Sequence, residues 1–232
     1  MKKITALLLV LVMVVCALAS CTNPASVKSE GVMTYAEYAA ANDDDAVVIE
    51  AFVQAKQSWW NNAVKVYLAD LDGAYFAYDL ACSEEDAAKL VPGTKIKITG
   101  YKTSYKGLEE VAAGATFEFG DSVTYIAPAK DLTANFGDND ALIEYQNQLA
   151  KFKGVTVTAI EYKNGEPGDD IYVTVSLGDK TMSFCVEVYL TGTDTAVYET
   201  VCGLSAGDVI DIEGFLYWYD GANPHITAVT KK

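Results

Sequence analysis

Trp59-Trp60-Asn61-Asn62, followed by Lys65, Tyr67 and Tyr75 and then by Lys95, Lys97, Tyr101 and Tyr105, is the part of the chain richest in groups that could hold a ligand. Rings flanked by amides, hydroxyls and ammonium groups can stack on a flat ligand and hydrogen-bond around its edge. The same residues have plainer uses. Tyrosine is an ordinary strand residue, and lysine beside a strand blunts an edge against aggregation. An acidic loop, Lys163 to Asp170, could offer Glu166, Asp169 and Asp170 to a calcium ion, but it lacks EF-hand spacing and reads better as a solvated turn. Catalytic chemistry finds little support. His225 is the sole histidine, and there is no Cys/His cluster, Ser/His/Asp set or paired-carboxylate motif to nominate. The expectation is a binding protein without a catalytic centre, a cofactor or a metal.

Composition narrows the partners. The chain of 232 residues carries no arginine and a net charge of −15. Arginine supplies the forked donors that grip phosphate and guanine, so charge and donor type both argue against nucleic acid as a partner. The acidity is uneven: residues 46–130 hold eight Lys and eleven acids, whereas residues 131–232 hold six Lys and sixteen acids. The lysine–aromatic set therefore lies in the less acidic half.

At the N-terminus, Met1-Lys2-Lys3 precedes an apolar run from Ile4 to Ala17 and then Leu18-Ala19-Ser20-Cys21. A basic start, an apolar stretch and small residues are the layout of an export signal. With cysteine next in line, the segment resembles a bacterial lipoprotein signal (a lipobox). That resemblance implies removal of residues 1–20, a lipidated Cys21, a palmitate-type anchor and a place on the exported side of a membrane in the cell envelope. Loss of Lys2 and Lys3 would move the net charge from −15 to −17. Residues 21–33 then read as a lipidated, flexible tether. Cys82, Cys185 and Cys202 remain, and three free thiols are expected over a Cys185–Cys202 disulfide.

The remaining chain repeats itself. Gly93-Thr94-Lys95-Ile96-Lys97-Ile98-Thr99-Gly100-Tyr101 matches Gly207-Asp208-Val209-Ile210-Asp211-Ile212-Glu213-Gly214-Phe215, and Tyr105 and Gly107 match Tyr219 and Gly221, all 114 positions on. Val47, Ile49, Ala51 and Phe76 match Val155, Val157, Ala159 and Phe184 at 108. The six-residue difference places an insertion between the third and fourth strands of the second copy.

Alternation predicts three strands in the first copy, through Val47–Val53, Val64–Leu68 and Phe76–Leu80, with Phe76, Tyr78 and Leu80 pointing inward. Ser83 with Glu84, Glu85 and Asp86 predicts a helix start. A fourth strand through Ile96 and Ile98 and a fifth from Val111 to Phe119 follow. The second copy predicts strands near 153–162, 170–176, 181–190, 208–217 and 223–229. Thr34 and Glu37 form a capping box, and Asp138 begins a second leading helix bearing Leu142, Tyr145 and Leu149.

Three strands, a helix and two strands is the order of an OB fold. The G-x-x-I-x-I-x-G-aromatic block is similar to its fourth strand, and over about residues 46–230 the chain resembles bacterial lipoproteins with tandem OB domains. The expected architecture is mainly β: two five-stranded barrels, each with a helix between strands three and four and a short helix before strand one. A first domain at 34–130 would be followed by a linker helix and second domain at 131–232, with 120–137 as a cleavable linker. A pair of β-sandwiches is the alternative. The resemblance implies ligand binding on strands two and three and in the loops joining strands one to two and four to five. It leaves a glycan, an envelope polymer or a protein as partner, with single-stranded nucleic acid as the alternative and an enzyme of unknown type behind both.

Overall fold

The computed structural model describes residues 23–232; the expected export signal (residues 1–20) and Cys21 lie outside them. Two closed barrels make up the chain. In the first, β1 (Ala46–Lys56), β2 (Ala63–Ala69) and β3 (Ala74–Ala81) form an antiparallel meander. After α2 (Glu84–Lys89) come β4 (Lys95–Tyr105) and β5 (Leu108–Val111). The barrel closes where β1 meets β4, with Ile49 opposite Ile98. β5 runs parallel to β3, pairing Val111 with Ala77. Ile49, Val53, Val66, Leu68, Ile96 and Ile98 fill the interior. This is the OB order.

The sequence places both helices of this half correctly, because both caps are local devices. Thr34 and Glu37 exchange hydrogen bonds across the first turn of α1 (Tyr35–Ala40), and the Ser83 side chain accepts from the Asp86 N–H at the start of α2. The expected fifth strand is divided. A turn at Ala113-Gly114 separates β5 from β6 (Thr116–Phe119), and both run antiparallel to β4 along the edge opposite β1.

The second barrel repeats the plan with β8 (Leu149–Tyr162), β9 (Ile171–Leu177), β10 (Lys180–Val186), β11 (Val209–Phe215) and β12 (His225–Lys231), closed by β8 against β11. A two-residue strand, β7 (Lys130–Asp131), lies parallel beside β8. Before the barrel, α3 (Asn139–Leu142) is a single turn capped by Asp138 and continued as a 3₁₀ turn; Leu149 already belongs to β8. The insertion adds α4 (Val188–Thr191) ahead of α5 (Ala196–Cys202), the expected counterpart of α2, and the third strand stops at Val186 and not at 190. Cys82, Cys185 and Cys202 are free thiols.

Two connecting segments are more closely held than their composition suggests. In the stretch 120–137, Gln54 receives a hydrogen bond from the Ala127 N–H and donates one to the Tyr125 carbonyl, and Phe52 packs edge-on to Tyr125. In the segment expected to be a flexible tether, Val27 to Ser29 straps across the first barrel. The Lys28 ammonium is 2.6 Å from the Asp70 carboxylate, and the Ser29 hydroxyl donates to Glu50 at 2.6 Å. Lys95 completes the set, 3.0 Å from Glu50 and hydrogen-bonded to the Val27 carbonyl. Glu50, Asp70 and Lys95 are all buried, so the strap covers an ionic cluster that water would otherwise reach.

Candidate functional site

A one-residue slip decides which aromatics of the first barrel face outward. Val64 is opposite Leu80, but Val66 is opposite Ala77, so β3 carries an extra residue at Tyr78-Asp79, where Asp79 has φ of 47°. Such a bulge inverts the alternation beyond it. Leu80 points inward as expected, but so do Tyr75 and Ala77, whereas Phe76 and Tyr78 turn outward.

Tyr75 therefore leaves the candidate site. It is fully buried inside the first barrel, and its hydroxyl donates to Asp70 at 2.7 Å. Tyr67 does face outward on β2, but the second barrel covers it. Its ring stacks on Phe215 at 4.3 Å, and its hydroxyl lies 2.9 Å from Nδ1 of His225. Lys95 is committed to the buried ionic cluster. Lys97 is half-buried on the β1–β4 side of the barrel, between Glu50 and Glu118 on the neighbouring strands. Tyr101 stands exposed on β4, and Tyr105 reaches the seam between the barrels. The lysine–aromatic set thus does not form one surface.

The two tryptophans separate. Asn61 and Asn62, both at positive φ, turn the chain tightly so that Trp60 and Ala63 exchange backbone hydrogen bonds. Trp59 packs against the first core and donates its indole N–H to the Cys82 carbonyl, while Trp60 is 78 % exposed. The acidic loop is occupied with its own lysine: Lys163 is 3.0 Å from Asp170 and 3.2 Å from Asp169, and Asn164 also bonds Asp169. Glu166 does not join them, and among the described residues no group of three or more acidic, His or Cys side chains converges as a metal site would need.

The seam between the barrels is where the site residues meet. Tyr67, Phe76 and Leu108 of the first half belong to the apolar cluster of the second. Where the β4–β5 turn meets its counterpart, residues at matching repeat positions touch. Lys106 is 2.8 Å from Asp220, Tyr105 packs edge-on to Tyr219, and the Asp220 N–H donates to the Lys106 carbonyl. Gly107 is required here, because a Cβ on it would lie 3.0 Å from the ring of Trp218. Gln146 and Asn147 bind the backbone of Gly107 and Glu109, fixing the linker to the same turn.

Beside this seam a cleft of about 600 Å³ opens. Lys65 and Phe76 of the first barrel form one wall; Tyr172, Glu187, Tyr217 and His225 of the second form another. Gln57 crosses it, donating to Glu187 at 2.7 Å, and the Ser58 N–H donates to the Tyr189 carbonyl. A second hollow of about 330 Å³ continues from Gln57 and Lys65 past Tyr78 to Trp60. The two share those residues and make one groove.

Electrostatically the groove is nearly balanced. Lys65 pairs with Asp79 at 3.0 Å and lies over the Tyr78 ring. Lys163 pairs with Asp170. Burial, reinforced by Asp170, pushes the Glu187 carboxyl up to about 7. His225 stacks on Tyr217 at 4.1 Å, and burial lowers its pKa to about 3, so the ring is neutral. Asn223 holds a buried Oδ1 with no hydrogen-bond partner among the described residues. Trp60 and Lys65 were visible in the sequence as site residues. Glu187 and His225 were not, because they reach the groove only through packing of one barrel on the other.

No family model matches the sequence, and no curated protein matches it. Solved structures do. A murine DNA-binding protein bound with double-stranded DNA is similar at 13 % identity over 81 % of this chain and 97 % of its own, with a TM-score of 0.37. The p204 HINb domain is similar at 11 % identity over 83 % of this chain and 100 % of its own, with a TM-score of 0.37. A Replication Protein A heterotrimer bound to single-stranded DNA is similar at 14 % identity over 89 % of this chain and 51 % of that one, with a TM-score of 0.35.

Proposed function

We propose that this chain is a lipid-anchored binding protein of the bacterial cell envelope, held by Cys21 on the exported side of a membrane, that captures its partner in the groove between two OB barrels. The observation that carries this reading is the groove itself. Rings from both barrels line it, and residues 57–60 of the first barrel, residues 187–189 of the insertion and the β11–β12 turn of the second all contribute. Binding and not turnover suits its chemistry. The sole histidine is neutral, has Nδ1 beside the Tyr67 hydroxyl and is a weak base at pH 7.

Hydrogen exchange on the full chain, with and without isolated envelope polymer fractions, tests the site. Protection confined to residues 57–65, 187–190 and 217–223 is the expected outcome; no protection there would sink the reading. Metabolic labelling with a fatty-acid probe tests the anchor, and Cys21→Ser should abolish the label. Capture of single-stranded nucleic acid is a second reading, favoured by rings beside Lys65 and Lys106. It requires affinity that falls steeply with salt.

A further inference from the structure

We infer that the groove takes an uncharged oligosaccharide several rings long, lying from Trp60 at one end to Tyr219 at the other. This rests on the groove being the binding site and adds the chemical class of its occupant. Three observations point there independently.

The first is shape. Two open hollows, one between the barrels and one along the first barrel toward Trp60, meet at Gln57 and Lys65 and are not closed around a single small molecule, which suits a linear segment. The second is the lining. Trp60, Tyr189 and Tyr219 present exposed rings, and Tyr217 lies deeper, stacked on His225. Such rings pack against the C–H faces of a pyranose, which have no charge to be desolvated. The third is polarity. Lys65, Lys106 and Lys163 each already have a carboxylate partner at 2.8 to 3.0 Å, and Glu187 accepts from Gln57. Among the described residues that line the groove, no unpaired cation awaits a phosphate or a uronate. Sugar hydroxyls both donate and accept, and so can bond the phenol, amide and hydroxyl groups along such a wall without bringing a charge.

The test uses the full chain in detergent with defined probes: neutral glucose, xylose and mannose hexamers, the matching trimers, hexagalacturonate, and a dT oligonucleotide. Binding is followed by calorimetry and by NMR shifts. At least one neutral hexamer should bind, shift Trp60, Tyr189 and Tyr219, and keep its affinity from low to high salt. Tyr189→Ala and Tyr219→Ala, at rings about half exposed, should each weaken it on the order of tenfold, with the strand circular dichroism checked for an intact fold. Trp60→Ala should weaken the hexamer and leave the trimer unchanged, since only the longer chain reaches it. If dT or hexagalacturonate shifts these residues and the neutral hexamers do not, the sugar class is wrong and the groove stands. If no probe shifts them, the sugar and the groove both fall.

Discussion

The two barrels present the same face, the outer side of their second and third strands, and use it differently. In the first barrel that face carries Tyr67 and Phe76 and lies under the second barrel. In the second, the matching face carries Tyr172 and Cys185 at the groove and then Thr174, Ser176, Thr181 and Ser183, exposed or half-exposed, with Thr174 and Ser183 hydroxyls 3.1 Å apart. The repeat yields two copies of one strand face. One holds the pair together, and beyond Tyr172 the small hydroxyl residues of the other have too little area to grip an equivalent partner. The groove exists because the covering is incomplete, leaving Lys65 and part of Phe76 at its wall.

The sharpest way to break this comparison is to charge either core. Ile98→Asp and Ile212→Asp each bury an unpaired carboxylate where the residue is almost wholly inaccessible, and each should abolish folding of its own barrel and, through the shared cluster, of its neighbour. Because Tyr67, Phe76 and Leu108 belong to the second barrel's cluster, the wild type should unfold in one calorimetric transition. Two separated transitions would show that the face is covered without being coupled.

A smaller loss is expected at the strap. Lys95→Met leaves Glu50 buried without its ammonium partner and should cost about 3 kcal/mol in a denaturant titration. Its repeat counterpart in the second barrel is already apolar, Val209. Lys97→Met, two residues along and half-exposed, should change stability by less than about 0.5 kcal/mol. Equal effects of the two would contradict the buried cluster.

Within the seam, Tyr67→Phe keeps the stack on Phe215 and removes only the hydroxyl beside His225. A loss of about 1 kcal/mol should follow, with little change in the circular dichroism of the strands.

Acidity gives the mildest probe. Glu187 of the second barrel and Glu110 of the first both have carboxyls pushed up to about 7 by burial. A folded pKa above the unfolded one means the native state holds more protons between about pH 4.5 and 7, so stability should fall as pH rises through that window and level off above it. Glu187→Gln should flatten its share of that fall. A wild-type stability that climbs from pH 5 to 7 would reverse the assignment.

Much of the architecture was legible because it is periodic or local. The repeat at 108 and 114 positions, the alternating Ile96 and Ile98, and the caps at Thr34, Ser83 and Asp138 all act over a few residues. The facing of Tyr75 and Phe76 was not legible, since one extra residue at Asp79 inverts the pattern and no local composition announces it. Lys65 and Lys95 share a residue type and a strand environment, yet one faces a groove and the other a buried carboxylate. That difference is set by Glu50 and by Ser29, which lies 66 positions before Lys95 in the chain. The seam is less legible still. Tyr67 and Phe215 are 148 residues apart, and nothing near either one signals the other.

The strap has a mechanical consequence. Once Lys28 and Ser29 are fastened to the barrel, only residues 22–26 remain between Cys21 and the folded body. Five residues span at most about 18 Å even when fully extended. An acylated Cys21 would therefore moor the first barrel on a short leash, close to the bilayer. On the proposed anchoring, whatever enters the groove would be met within that leash plus the breadth of the folded body from the membrane surface, which would suit a collector of material already at the envelope and a poor angler for anything farther out.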